Sequence, residues 1–269
     1  MKRLLFLLLP AFAQAQTPGV SDFNLWAVQP GDTMAVYADK AYIRQEPSLQ
    51  STVIDSLSTG DLLIIGDIAG KPLTMKGMEA PWHAITFKDE KKGYVWLGLL
   101  AIRRYHKGDV DFIYGIDKLQ KGEFNVEYIV RLKAVRNNQV LDMKEWKVRG
   151  AEYASSSDGK LFDDMGLENI QTIVRIYFSG DACAIPTDYY YFGWTGNSFA
   201  VLPGRSNESD AGAYNSQEMI LFPKEAGGQP GRIIKLSKVD TYGDDMETVE
   251  KTTTKKETYI WDGKTAIKQ

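Results

Sequence analysis

The sequence predicts an all-β protein, with a small N-terminal barrel followed by a second, mainly-β domain that is a sandwich or an open antiparallel sheet. Three observations lead to this class. Apolar residues recur at period two over short stretches. Glycine, asparagine and aspartate separate those stretches at turn spacing. Helical periodicity is confined to one short stretch, residues 160–168, so we expect both domains of the 269-residue chain to be mainly β.

The composition narrows the class of protein. Hydrophobic residues make up 43% and charged residues 25% of the chain, which is ordinary for a globular protein. The formal charge of -3 argues against nucleic acid as a partner, because phosphate recognition needs a concentrated basic surface. One cysteine and two histidines form neither an internal disulfide nor a histidine-rich metal site. We therefore expect no metal and no cofactor.

The first fifteen residues have the pattern of a secretory signal peptide. Lys2 and Arg3 precede an apolar run at 4–9, and the segment ends in Ala13-Gln14-Ala15. This is the order of charged, apolar and small residues that precedes signal cleavage. We expect cleavage after Ala15 and export to the periplasm or the extracellular space. No later stretch is apolar enough to span a membrane, so we expect no membrane span in the mature chain.

Residues 16–31 are a polar lead-in, and residues 32–102 are predicted to form the barrel. The run 62–65 is continuously apolar, which is typical of a strand buried on both sides. Gly66 and Gly70 are predicted to bracket a turn. The predicted strands are 41–44, 53–57, 62–65, 82–87 and 93–96, with a hairpin through the charged residues 88–92.

Four pieces of this region resemble the bacterial SH3-like domain, in the family's order and spacing. They are Ala41-Tyr42-Ile43-Arg44-Gln45-Glu46-Pro47-Ser48, the segment from Val53-Ile54 to Thr59-Gly60, Trp82, and Gly93-Tyr94-Val95. The chain departs from the family pattern at Glu46, where glycine is usual, and in a longer insert at 71–80. The resemblance covers about a quarter of the chain, and it implies a module that recognises cell-wall peptide.

Residues 103–108 are interpreted as a linker because they are basic and lack apolar alternation. They precede the second domain, residues 109–269. Residues 203–217 are predicted to form a long loop, and 191–197 and 258–264 to form two similar hairpins. The predicted strands are 124–132, a following strand with Val140 and Trp146 after a turn at Asn137-Asn138, 170–178, 189–194, 218–222, 232–239 and 257–261.

Nucleophilic catalysis is not expected. His83 and His106 both precede Cys183, whereas the cell-wall cysteine peptidases that accompany bacterial SH3-like domains carry a histidine after their cysteine. Cys183 is predicted to be a small buried hydrophobe. A carboxylate-dependent hydrolase remains an alternative, although the acidic residues show no diagnostic spacing. The candidates are Asp163, Asp164, Glu168, Asp181, Asp188, Glu208 and Asp210. A calcium site is a further alternative at Asp158-Gly159 with Asp163 and Asp164, although turn propensity also explains the Asp-Gly pair.

Four residues are predicted to bind a ligand: Tyr42, Arg44, Trp96 and Arg205. Strand alternation directs Tyr42, Arg44 and Trp96 outward, where aromatic rings and a guanidinium suit peptides or sugars. The alternative for Trp96 is packing against the neighbouring domain. Arg205 is the cation of the predicted loop. In the run 189–191, alternation leaves at least one tyrosine exposed or in a groove.

These observations favour a non-catalytic exported binding protein, in which the SH3-like module recognises peptidoglycan peptide or an envelope protein. The alternative is a carboxylate-dependent hydrolase of an envelope glycan that uses the module for targeting. A second alternative is a structural envelope protein.

Overall fold

The computed structural model describes residues 25–122, 126–180 and 182–269. Within these ranges the chain forms eighteen β-strands and short 3-10 turns, and no α-helix. The all-β prediction is confirmed. The proposed signal peptide, residues 1–15, lies outside the described residues. None of the described segments is a helix long and apolar enough to cross a membrane.

The first sheet is a curled, antiparallel half-barrel of six strands in the order β1-β4-β5-β6-β2-β3. Its strands are β1 (Thr33–Ala35), β2 (Lys40–Arg44), β3 (Val53–Ser58), β4 (Leu62–Met75), β5 (Met78–Phe87) and β6 (Lys91–Trp96). A 3-10 turn at Leu97–Leu99 follows. The predicted hairpin through residues 88–92 is confirmed by the pairing of β5 with β6.

Strand β4 differs from its prediction in two ways. Leu63 and Ile65 are buried while Leu62 and Ile64 are about half exposed, so the run 62–65 is covered on one face only. The turn expected between Gly66 and Gly70 is also wrong, because both glycines lie inside β4. The chain instead turns at 76–77, where both residues have positive φ, so the insert 71–80 is the tip of a long β4–β5 hairpin.

The second sheet has four antiparallel strands in the order β10-β9-β8-β7. They are β7 (Arg103–Lys107), β8 (Val110–Lys121), β9 (Val126–Arg136) and β10 (Gln139–Arg149). Residues 103–108, interpreted from sequence as a linker, instead form β7 and the start of its turn, and the Tyr105 ring stacks 6.4 Å from that of Tyr114. The predicted turn at Asn137-Asn138 is confirmed, since both residues have positive φ, as a two-residue hairpin turn requires.

The third sheet is an eight-stranded antiparallel meander in chain order. The prediction of a helix-like stretch at 160–168 is wrong, because these residues form the end of β11 and a loop. The prediction of a long loop at 203–217 is also wrong, because most of these residues belong to β14 and β15. The strands are β11 (Ser156–Phe162), β12 (Thr172–Ser179), β13 (Thr187–Trp194), β14 (Phe199–Asp210), β15 (Tyr214–Leu221), β16 (Arg232–Tyr242), β17 (Val249–Trp261) and β18 (Ala266–Lys268).

The two similar segments of the sequence are hairpins, as predicted. The first joins β13 to β14 and the second joins β17 to β18. Each turn is closed by hydrogen bonds of a polar side chain: Ser198 N donates to Thr195 Oγ1 at 3.1 Å, and Thr265 N donates to Asp262 Oδ1 at 2.6 Å.

The main apolar core joins all three sheets. Aromatic rings of the second sheet pack on those of β12 to β14, with Trp146 4.9 Å from Phe192 and Tyr114 6.2 Å from Phe178. The same cluster continues into the first sheet through Trp82 and Trp96. Because ring pairs at these separations add directional contacts to simple burial, they hold the sheets in one arrangement.

A buried lysine also connects the first and second sheets. Lys133 of β9 is 6% exposed at its side chain. Its Nζ donates to Tyr37 O at 2.9 Å and to Asp39 Oδ1 at 2.8 Å, and it lies 4.8 Å from the centre of the Tyr37 ring. The carbonyl, the carboxylate and the ring together compensate the ammonium group for the loss of water.

A second apolar cluster lies within the third sheet and joins its two halves, β11 to β14 and β15 to β18. Trp261 Nε1 donates to Glu168 O at 2.9 Å, which ties β17 to the loop after β11. The cluster consists of Leu167, Ile170, Ile173, Tyr191, Ala200, Leu202, Ile220, Phe222, Ile233 and Trp261. Beside this cluster the side chains of the two halves do not meet, and a cleft remains between them.

Candidate functional site: a cationic cleft in the third sheet

The cleft has a volume of about 760 Å³ and is lined by residues from both halves of the third sheet. Its apolar lining includes Phe162, Met165, Tyr191, Met219, Ile220, Phe222 and Leu236. The charged residues of the lining are two acidic ones, Glu218 and Glu225, and five cationic ones, Arg175, Arg205, Lys238, Lys255 and Lys256. A pocket of this size with a few polar groups suits a small molecule.

The three consecutive tyrosines of β13 explain how the two sides of this strand differ. Tyr190 packs against Trp146 at 5.6 Å, on the side of the second sheet. Tyr191 lines the cleft and packs 5.8 Å from Phe222. Successive side chains of a strand point to opposite faces, so the prediction that a tyrosine of this run lies in a groove is confirmed.

Arg205 lies in β14 and is held there on three sides. Its guanidinium lies 3.6 Å from the centre of the Tyr189 ring. Its Nε donates to the Tyr191 hydroxyl at 3.2 Å, and its Nη1 donates to Glu218 O at 3.2 Å. Within the described part of the chain, no carboxylate forms an ion pair with Arg205. The predicted binding residue is therefore a fixed cation in a strand.

Arg175 is a second cation of the cleft. Its guanidinium lies 5.3 Å from the Phe162 ring and 5.5 Å from the Tyr189 ring. Its Nε is buried and has no hydrogen-bond partner among the described residues, which costs about 1–3 kcal/mol for a desolvated donor. Sequence reasoning missed Arg175. The available signal was a charged residue inside the otherwise apolar strand Ile173-Val174-Arg175-Ile176.

Both carboxylates of the lining are occupied by structural hydrogen bonds. Glu218 Oε2 accepts from Lys235 Nζ at 2.7 Å and from Ser206 N at 2.6 Å. Glu225 Oε2 accepts from Phe222 N at 2.8 Å. Two of the lining lysines have acidic partners outside the lining, since Lys238 pairs with Asp240 and Lys255 with Glu257. The cationic lining is thus only partly neutralised, in a chain whose overall formal charge is -3.

An adjoining depression of about 440 Å³ shares Tyr191, Arg205 and Glu218 with the cleft. Trp146 and Tyr190 also line it. Arg205 therefore lies at the boundary between the two spaces.

Trp96 is not on the surface, and the prediction that it faces outward is wrong. The residue is 1% exposed. Its Nε1 donates to Leu73 O and to Ala80 O, both at 2.9 Å, and a Cβ at position 98 would overlap its ring. Leu73 and Ala80 belong to the long β4–β5 hairpin. The insert that departs from the family pattern therefore covers the indole.

The other two predicted binding residues of the first sheet follow the expected alternation. Ala41 and Ile43 are fully buried, whereas Tyr42 is 50% exposed. Arg44 is half-buried, and its Nη1 donates to Ser51 O at 2.7 Å. Tyr42 and Arg44 therefore share the outer face of β2, far along the chain from Arg205.

The remaining acidic candidates are dispersed. Asp163 pairs with Lys107, and Asp188 with Arg149. The hydrogen bond from Lys224 Nζ at 2.7 Å lowers the pKa of Asp164. Asp181 lies outside the described residues. Over the ranges that the structure describes, no three histidine, cysteine or acidic side chains form a metal-binding group.

Two further acidic side chains, Glu208 and Asp158, are hydrogen-bonded to tyrosine hydroxyl groups. Glu208 accepts a hydrogen bond from the Tyr214 hydroxyl, and Asp158 Oδ1 accepts one from the Tyr105 hydroxyl at 2.8 Å.

Neither histidine lines the cleft. His83 of β5 is buried, and its Nδ1 lies 2.9 Å from Gly66 O. Burial lowers the pKa of the His83 imidazole. His106 of β7 lies 2.8 Å from Asp111 Oδ1. Cys183 is exposed, so the prediction that it is a buried hydrophobe is wrong. It lies in the loop before β13, where no sheet covers it.

Comparison of the chain with protein-family models, with curated proteins and with solved structures finds no match.

Proposed function

We propose that this protein is a non-catalytic, exported binding protein whose ligand site is the cleft of the third sheet. The observation that carries the proposal is a cleft of about 760 Å³ with an apolar lining and fixed polar groups at its side. Clefts of several hundred Å³ with this lining bury most of a small molecule. Export is supported by the signal-like pattern of the first fifteen residues.

Binding is favoured over carboxylate-dependent hydrolysis by the state of the two acidic side chains in the cleft. Glycoside hydrolysis uses two carboxyl groups that face the bond to be cleaved. Glu218 instead holds Lys235 and the backbone of β14, and Glu225 holds the backbone of Phe222. Both carboxylates thus serve the fold.

An uncharged dye tests whether the cleft takes an apolar ligand. N-phenyl-1-naphthylamine fluoresces strongly only in apolar surroundings, so its titration into purified protein reports saturable binding. We expect one site per chain. Met219→Asp places a charge in the lining at a residue that is 55% exposed, so folding is expected to survive. It should weaken dye binding about tenfold, which is the ~1.4 kcal/mol expected of one lost apolar contact.

Met143→Asp is the matched control, because Met143 is 39% exposed and lies in β10 outside the lining. The control should bind dye like the unmodified chain. Absence of saturable binding, or equal loss in both variants, contradicts the proposal.

A second candidate function is recognition of cell-wall peptide by the first sheet, as the SH3-like resemblance implies. The observation that favours it is the exposed Tyr42 beside Arg44 on the outer face of β2. Exposed aromatic rings beside a guanidinium suit peptides and sugar rings. An envelope protein is the alternative partner for this face.

Co-sedimentation with purified peptidoglycan sacculi tests this candidate. We expect binding that Tyr42→Ala reduces several-fold. Ile267→Ala changes an equally exposed residue of β18 and serves as the control. Equal sedimentation of the two variants would remove Tyr42 from any such site.

A further inference from the structure

The two arginines of the cleft lie around a single aromatic ring. The Arg205 guanidinium is 3.6 Å and the Arg175 guanidinium 5.5 Å from the centre of the Tyr189 ring. The register places Arg205 opposite Tyr189 and Arg175 opposite Tyr191 on neighbouring strands. Two positive charges are therefore concentrated at one wall of a largely apolar cleft.

Neither charge is neutralised within the described part of the chain. Every ion pair found there involves other cations. The buried Nε of Arg175 also lacks an acceptor. Guanidinium groups that are partly withdrawn from water and left without an acid attract an anion more strongly than exposed ones do.

The donors that remain restrict the form of the anion. Arg205 already uses its Nε and one Nη1 hydrogen for Tyr191 and Glu218. Its other N–H groups, together with those of Arg175, suit the two oxygens of a planar carboxylate, for which the guanidinium fork is matched in geometry. The neighbouring lining is apolar at Phe162, Met219 and Leu236, which suits a hydrocarbon body.

We infer that the cleft binds an apolar molecule that carries a single carboxylate, with Arg175 and Arg205 as its headgroup site. This inference rests on the proposed function of the cleft. It adds the chemical class of the ligand and the residues that select it.

Competition against N-phenyl-1-naphthylamine tests the inference with three ligands of equal chain length: decanoate, decan-1-ol and decyltrimethylammonium. Decanoate and decyltrimethylammonium are used below their micelle-forming concentrations and decan-1-ol below its solubility limit. We expect decanoate to displace the dye at least tenfold more effectively than decan-1-ol, and decyltrimethylammonium to be the weakest. Decanesulfonate is a fourth ligand, and stronger displacement by it than by decanoate overturns the choice of carboxylate.

Two variants locate the headgroup site. Arg175→Met and Arg205→Met should each reduce the preference for decanoate over decan-1-ol several-fold, with the displacement by both ligands measured against the dye affinity of the same variant. Arg205→Lys keeps the charge but loses the planar fork, so it should retain part of the preference. Arg232→Met is the control, because Arg232 is exposed and outside the lining.

The outcomes separate the two proposals. Dye binding with equal displacement by decanoate and decan-1-ol overturns the inference and leaves the cleft as a neutral binding site. A preference for decanoate that survives both arginine variants overturns the assignment of the headgroup site. Absence of dye binding overturns the proposed function, and the inference with it.

Discussion

The first and third sheets of this protein use the same element, the antiparallel hairpin, with opposite results. In the first sheet, large side chains such as Trp82, Trp96 and Phe87 fill the interior. Two smaller depressions lie along that sheet, one of about 360 Å³ lined by Ile64 and Tyr94 and one of about 490 Å³ lined by Met34 and Leu62. In the third sheet a cleft of about 760 Å³ stays open beside a smaller apolar cluster.

The difference between the sheets teaches where a binding site can form in a fold without helices. An apolar interior closes because every gap costs contacts between side chains. In the third sheet, Arg175 lies between the apolar residues Val174 and Ile176 of β12, and Arg205 lies in β14 beside the Tyr189 ring. Charged side chains keep contact with water. The open space of the third sheet is lined by these cations as well as by apolar side chains, and it is the candidate site.

The largest expected effect concerns the filled interior of the first sheet. Trp96→Ala removes a buried ring and leaves the carbonyl oxygens of Leu73 and Ala80 without their donor. We expect a loss of ~3–5 kcal/mol in the free energy of unfolding, as for other buried tryptophans. Urea denaturation followed by circular dichroism measures it.

Tyr42→Ala is the matched surface control for Trp96→Ala, since Tyr42 is 50% exposed. It should change the free energy of unfolding by less than about 0.5 kcal/mol. Similar losses in the two variants would show that Trp96 does not carry the core of this sheet.

An intermediate effect is expected where the first and second sheets meet. Lys133→Met keeps the apolar stem but removes the donor to Tyr37 O, which is left without its partner at a buried position. We expect a loss of ~1–3 kcal/mol in the free energy of unfolding. Asp39→Asn, which alters only the exposed partner, should lose less. The reverse order of the two losses contradicts a structural role for the buried ammonium group.

The smallest effect is a pH dependence in the third sheet. Hydrogen bonds from Lys255 and Lys268 lower the pKa of Glu257 from its usual 4.5 to about 2. A carboxyl group whose pKa is lower in the folded chain stabilises it fully above pH 4.5, and this contribution is lost as the pH falls towards 2. Thermal unfolding should therefore show Glu257→Gln as slightly less stable than the unmodified chain at pH 6 and equal to it near pH 2. A stability difference that stays constant across this range would refute the assignment.

Local patterns predicted much of the fold. The strands around Tyr42, Trp82 and Tyr190 lie where period-two alternation places them, since alternation depends only on which face of a strand is covered. The turn at Asn137-Asn138 was equally predictable, because these residues tolerate positive φ. Strand β7 was missed, because its residues Arg-Arg-Tyr-His-Lys are polar and the strand lies at the edge of its sheet.

The candidate site was predictable only in part. The sequence predicts Arg205 as the one cation of a loop, whereas the residue lies in β14. Arg175 was missed, although its position in an apolar strand was visible. No local signal relates the two residues, because they approach one another only through their common neighbour Tyr189 on the strand between them.

What the sequence alone determined is therefore the class of fold, the position of most strands and the form of the short turns, all of which depend on neighbours within a few residues. The tertiary structure decided which side chains are covered. Trp96 follows the alternation of an outward residue, yet the β4–β5 hairpin covers it, and Cys183 is exposed although its type is usually buried. The cleft arises in the same way. The burial of each side chain depends on contacts between segments distant in the chain, and so does the space left between Arg175 and Arg205. These contacts leave no trace in the local pattern of either segment.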